Sequence, residues 1–130
     1  MIVAGIGSRK GVATEDVLAA IDAALAAHGL VRSRLDRLAT APLKADEPAL
    51  HGAANALGLE LVVVQDAKLA EVSDRTMTRS EASLEKAGTP SVSEASALAA
   101  AGPGSQLLGP RVVVGAVTCA IAISGEGNLP

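Results

Sequence analysis

Met1-Ile2-Val3-Ala4-Gly5-Ile6-Gly7-Ser8-Arg9-Lys10-Gly11 opens the chain, and Thr14-Glu15-Asp16 follows after two intervening residues. Met1 to Ile6 is short, β-branched and uncharged, the pattern of a buried strand. Thr14-Glu15-Asp16 reads as a helix start, a capping hydroxyl followed by two acids in the first turn. A glycine-rich turn between strand and helix exposes backbone N–H groups, here with Arg9 and Lys10 among them. That arrangement suits an anion such as a phosphate or a carboxylate. The competing reading is a plain strand–helix connection whose glycines only satisfy backbone angles.

From this unit the alternation continues. Thr14 to His28 carries Val17, Leu18, Ile21 and Leu25 on one stripe and Glu15, Asp16 and Asp22 opposite, and Gly29 stops it. Leu35 to Ala41 reads as a second strand and Lys44 to Pro48 as a loop. Pro48 sits in the first turn of the next helix, whose buried stripe is Leu50, Ala53, Ala54 and Leu57, ended by Gly58. Leu59 to Val64 is the plainest buried strand. Ala67 to Val72 and Ser80 to Ala87 are short helical segments flanking a polar loop, Ser73 to Ser80. A further helix, Ser93 to Ala101, is bounded by Gly102-Pro103-Gly104. Gln106 to Val114 and Ala116 to Ser124 then read as two strands around Gly115, and Gly125 to Pro130 as a loose tail. The expected fold is α/β: one domain over residues 1–130, a mixed, mostly parallel sheet of about five strands, helices on both faces, and a C-terminal hairpin.

Composition narrows the function. The 130 residues are 49% hydrophobic yet contain no Phe, Trp or Tyr, so the core is built from Ala, Val, Leu and Ile. Without aromatic platforms there is no stacking surface for single-stranded nucleic acid. The net charge of −3 argues against a nucleic-acid footprint as well. A single cysteine, Cys119, lies in an apolar run and reads as a buried hydrophobe. No spacing of Cys and His suggests zinc, so no metal and no cofactor is expected. The N-terminus lacks the pattern of a signal peptide and no apolar run reaches a membrane span, which predicts a soluble, cytoplasmic protein with no membrane partner.

Ligands of such sheets sit outside the carboxyl ends of the parallel strands. Three segments converge there on this reading: Gly7 to Gly11, Lys44 to Glu47, and Thr89 to Ser93. Gly5, Gly7, Ser8, Arg9, Lys10, Gly11, Lys44, Ser91, Ser93 and Glu94 are the candidate ligand-binding residues. Asp46 and Glu47 are the candidate general bases, set against a reading as solvated acids at a helix N-terminus. No Ser-His-acid or Cys-His arrangement can be assembled. His28 and His51 read as structural.

Gly5-Ile6-Gly7-Ser8-Arg9-Lys10-Gly11 resembles the opening G-I-G-C-R-[RK]-G of the cobalamin-biosynthesis CobE family, which is also the C-terminal domain of CbiG. Leu38 to Glu47 is similar to that family's A-T-x-x-x-K-x-x-E block, and Ser91 to Leu98 to its S-V-[AS]-E-A-[AS]-A-L block. Leu107-Leu108-Gly109-Pro110-Arg111, through Val117 to Ala122, resembles its L-L-x-P-[KR]…V-T-x-A-I-A closure. The blocks recur in family order over nearly the whole chain. The resemblance implies a role in making the corrin ring of vitamin B12. In two-domain CbiG proteins the reaction is hydrolysis of the ring-A lactone of cobalt-precorrin-5A with loss of acetaldehyde; a stand-alone protein of this kind is associated with the aerobic route. Ser8 stands where the family commonly has Cys, so a thiol nucleophile is untenable at this position. The expected ligand is a tetrapyrrole precorrin, its carboxylates paired by Arg9, Lys10 and Lys44, and other enzymes of the pathway are candidate partners. The alternatives are a lactone hydrolase and a nucleotide- or phosphate-binding module built on the glycine loop.

Overall fold

The computed structural model describes residues 1–125, apart from the side chains of residues 82, 83 and 87. The expected tail falls outside the described residues except for Gly125. The elements run β1 (Ile2–Ser8), α1 (Thr14–Ala27), β2 (Arg37–Thr40), α2 (Pro48–Leu57), β3 (Glu60–Val63), α3 (Asp66–Val72), α4 (Glu81–Ala87), α5 (Val92–Ala101), β4 (Gln106–Leu107), β5 (Val112–Val114) and β6 (Val117–Ile123). The sheet has six strands in the order β3-β2-β1-β6-β4, with β5 also paired to β6. β1, β2 and β3 are parallel; β6 is antiparallel to β1, β4 and β5.

Alternation along β1 divides the core. Ile2, Ala4 and Ile6 join α1 and α2 in one apolar cluster, while Val3 joins α3 and α5 in the other. Gly5 and Gly7 share the Val3 face and let α5 lie almost on the backbone of β1. A Cβ on Gly5 would come 1.9 Å from the Ser93 carbonyl oxygen and 2.7 Å from the Ala97 nitrogen. The chain thus steps outward over one face, β1 to β2 to β3, and returns over the other face to β6 beside β1. The carboxyl end of β1 is where the two directions part, the place such sheets reserve for a ligand.

Two local expectations change. The cap of α1 is Ala13 rather than Thr14: the Ala13 N–H donates to Asp16 Oδ2 at 3.0 Å, and Thr14 is the first helical residue, packed against Gly52. The segment read as one strand from Gln106 to Val114 is broken at Gly109-Pro110-Arg111. Pro110 has no N–H for the ladder, and the Arg111 N–H is drawn to Glu94 Oε2 at 2.8 Å.

The two sheet glycines predict different costs. Gly5→Ala puts Cβ against backbone that has no rotamer to change, and is expected to lower the unfolding free energy by about 3 kcal/mol, the upper part of the overpacking range. At Gly7 the tight contact is the Thr118 hydroxyl at 2.7 Å, a side chain able to turn away, so Gly7→Ala costs about 1 kcal/mol. Urea unfolding followed by far-ultraviolet circular dichroism checks the order; equal losses would show that α5 shifts freely on the sheet.

Candidate functional site

At the carboxyl end of β1 the glycine loop is fastened to its neighbours. The Arg9 N–H donates to the Ala116 carbonyl at 3.0 Å, at the turn of the β5–β6 hairpin. The Gly11 N–H donates to Glu47 Oε1 at 3.0 Å. Two of the loop's amides are thus engaged within the protein, and the Ala13 N–H just beyond it is held by Asp16. Gly5 is buried under α5. The Arg9 and Gly11 amides are therefore spent on the protein's own loops, and the loop presents outward the exposed side chains of Arg9 and Lys10.

Hydroxyls close off the strand ends. Thr40 Oγ1 donates to the Ile6 carbonyl at 2.8 Å and Thr118 Oγ1 to the Gly7 carbonyl at 3.4 Å. Ser8 Oγ is buried and finds no hydrogen-bond partner.

The second loop forms a short 3-10 turn, Pro42–Lys44, leading to α2. Lys44 is half-buried. Partial burial holds its ammonium below the ordinary lysine range; Glu47 nearby opposes this, and Lys10 and Lys86 add to it. Asp46 is exposed, while Glu47 is half-buried and committed to Gly11. His51 of α2 hydrogen-bonds the Ala45 carbonyl and so braces the same loop. His28, at the other end of the fold, packs its ring against Gly109.

The third segment is sealed. Ser91 is the cap of α5 and accepts from the Glu94 N–H at 3.3 Å. Ser93 is buried, with its hydroxyl 3.4 Å from that of Ser91. Glu94 has 0% exposure. Its Oε1 accepts from Met77 N–H at 2.7 Å and Thr78 N–H at 2.9 Å, and its Oε2 from Arg111 N–H. Ser91, Ser93 and Glu94, read from the sequence as ligand-binding residues, are buried here and form the wall behind the site. A buried carboxyl group needs hydrogen-bond partners, and three backbone N–H groups supply them here.

Lys86, which the sequence reading did not single out, adds to the positive field at Lys44. It lies in the last turn of a short helix in the irregular middle of the chain, where a cation reads as an ordinary partner of the helix dipole. Among the described residues, no cluster of His, Cys, Asp and Glu is placed to hold a metal, and no helix is long and apolar enough to cross a membrane. Cys119 is fully buried in β6, and burial pushes its thiol far above the usual range.

Residues 2–122 match the family model described as cobalamin synthesis G C-terminus. The chain belongs to this family. Its fold is similar to that of CobE, a protein from the cobalamin (vitamin B12) biosynthetic pathway, at 34% identity over 94% of this chain and 89% of that one, with a TM-score of 0.89. It is similar also to cobalamin biosynthesis protein chiG from Agrobacterium tumefaciens str. C58, at 54% identity over 95% and 98% of the two chains and a TM-score of 0.76. A cobalamin biosynthesis protein G homolog from Sulfolobus solfataricus is 26% identical over 93% of this chain but only 36% of its own, with a TM-score of 0.67. A search of curated proteins finds no match. Membership places the chain among cobalamin biosynthesis proteins.

Two substitutions test the wall and the strand end. Glu94→Gln keeps the size but turns an amide group toward backbone donors, and Glu94→Ala leaves three N–H groups unpaired. At about 1–3 kcal/mol for each stranded donor, the alanine variant is expected to lose at least about 3 kcal/mol of stability and the glutamine variant less, read by urea unfolding. At Ser8, removing the unpartnered hydroxyl relieves its desolvation. Ser8→Ala and Ser8→Cys are each expected to stabilise the fold by about 1 kcal/mol, a rise of roughly 3–5 °C in Tm. A fall in Tm for both would mean the hydroxyl has a partner in solution.

Proposed function

We propose that the chain binds a corrin-ring precursor at the carboxyl end of β1 to β3 and assists or performs one step of corrin synthesis. The observation that carries this reading is the gathering of Arg9, Lys10 and Lys44 at the mouth of the site, in a chain whose net charge is −3. No ion pair among the described residues uses any of the three. Corrin precursors are flat apolar rings edged with carboxylates. Cations on loops suit the edge, since charge-assisted bonds to carboxylates are the strong ones. Family membership supports the choice of ring. A nucleotide or phosphate ligand is less well served, because Arg9, Gly11 and Ala13 spend their amides inside the protein and no aromatic side chain is present to stack a base.

The test is an absorbance titration with cobyrinic acid, the polycarboxylate left when the side-chain amides of a corrinoid are hydrolysed. With no Trp or Tyr the protein contributes little absorbance of its own. Saturable binding, absent with ATP, is expected; binding of ATP alone would overturn the reading. Arg9→Ala and Lys44→Ala are each expected to weaken binding about tenfold to a hundredfold, the loss of one charge-assisted bond of about 1.5–3 kcal/mol, at unchanged Tm. A bound carboxylate raises the lowered Lys44 pKa, so binding in mildly alkaline solution should take up protons, measured by calorimetry in buffers of differing ionisation enthalpy. Asp46→Asn and Glu47→Gln address hydrolysis. Loss of turnover of a precorrin lactone with binding retained would assign water activation to these acids, and retained turnover would place the chemistry elsewhere.

A further inference from the structure

A cleft of about 540 Å³ opens between residues 75–77, which follow α3, and strand β4. Its size falls within the range of small-molecule pockets, roughly 300–1,000 Å³. The floor is apolar: Leu98 of α5, which is buried, and the half-buried Leu107. Met77 stands on the rim, 56% exposed. Strand register places the cleft at the end of the sheet away from the glycine loop. Leu107 pairs with Ala122 and Ala122 with Val3, whereas Ser8 pairs with Val117. Val3 and Ser8 are roughly 16 Å apart along an extended strand.

Both walls are fixed from within. On one, Thr76 Oγ1 donates to the Ser73 carbonyl at 2.8 Å and the Met77 N–H to Glu94 Oε1 at 2.7 Å. On the other, Ser105 is buried and its Oγ donates to the Leu98 carbonyl at 2.8 Å, while the Leu108 N–H donates to the Ile121 carbonyl at 2.9 Å. Arg75 joins the two: its Nη1 donates to the Ser105 carbonyl at 2.7 Å. That bond orients the guanidinium and leaves most of its N–H donors unspent. Arg75 is exposed, so a ligand reaches it without any opening motion. Among the described residues it enters no ion pair, and no other cation lines the cleft. An oriented guanidinium with free donors suits a carboxylate, which takes two parallel N–H bonds. A single positive charge matches a single negative one, and the leucine floor favours burying hydrocarbon beside it.

We infer that this cleft is a second binding site, for a monocarboxylic acid with an apolar body. The carboxylate pairs with the free edge of the Arg75 guanidinium, and the hydrocarbon lies on Leu98 and Leu107 beneath Met77. The site does not rest on the proposed corrin site. The probe is octanoate, titrated into the full chain labelled with methyl-13C methionine. Met77 reports from the rim, and its signal is assigned by its disappearance in Met77→Leu. A saturable shift of the Met77 methyl signal is expected with octanoate. Octanol, which keeps the hydrocarbon without the charge, and acetate, which keeps the charge without the hydrocarbon, should each bind at least about tenfold more weakly. Arg75→Gln retains a donor for the Ser105 carbonyl and removes the charge. It is expected to weaken octanoate binding about tenfold to a hundredfold, with the far-ultraviolet circular dichroism spectrum unchanged. The absence of a saturable octanoate shift overturns the site. Equal affinity for octanol overturns the carboxylate, and equal affinity for acetate overturns the apolar floor. Octanoate binding that survives Arg75→Gln but is lost in Arg9→Ala places the acid in the glycine loop and overturns the inference.

Discussion

The structure depends on the missing side chain at Gly5. α5 can rest on β1 only because nothing stands between the Ser93 carbonyl and the strand. That approach carries the first turn of α5 to the carboxyl end of β1. It also buries Ser91, Ser93 and Glu94. A core made of Ala, Val, Leu and Ile suits such closeness, since small side chains keep layers thin. Everything on the α5 side of the site, including the segment around Met77 and the departure of α4, takes its position from this one contact.

Glu94 extends that constraint sideways. Its two oxygens gather donors from the 77–78 segment and from the break between β4 and β5. Around it the loops are stitched by long-range bonds, Arg9 to Ala116 and Gly11 to Glu47. The backbone is engaged in holding the loops, and the side chains of Arg9 and Lys10 stay exposed.

Much of this was legible in the sequence because the signals are local. β1, α1 and the end of α2 follow from the apolar pattern and from glycines such as Gly58, which takes φ 68°; β3 forms where a buried strand is read, but as a half-buried edge of the sheet. The convergence of the first two loops followed from strand–helix alternation. What escaped depends on partners far along the chain. Nothing near Arg9 announces that Ala116 takes its amide. Glu94 reads as a candidate ligand-binding residue, and only tertiary packing shows it enclosed. The strand from Gln106 to Val114 looks continuous because Val112 to Val114 resumes the apolar run; it breaks at Pro110, which lacks an N–H, and at Arg111, whose amide is drawn to Glu94.

The break at Gly109-Pro110-Arg111 also changes what the sheet can do to its neighbours. β4 and β5 form one border of the sheet, and each is only two or three residues long. A long, flat border would offer a continuous row of backbone groups to a second chain, the beginning of an edge-to-edge aggregate. Here that row is interrupted by a proline and by an amide turned inward to a buried acid. The same carboxylate that shapes the wall of the site thereby denies a foreign strand a template to copy.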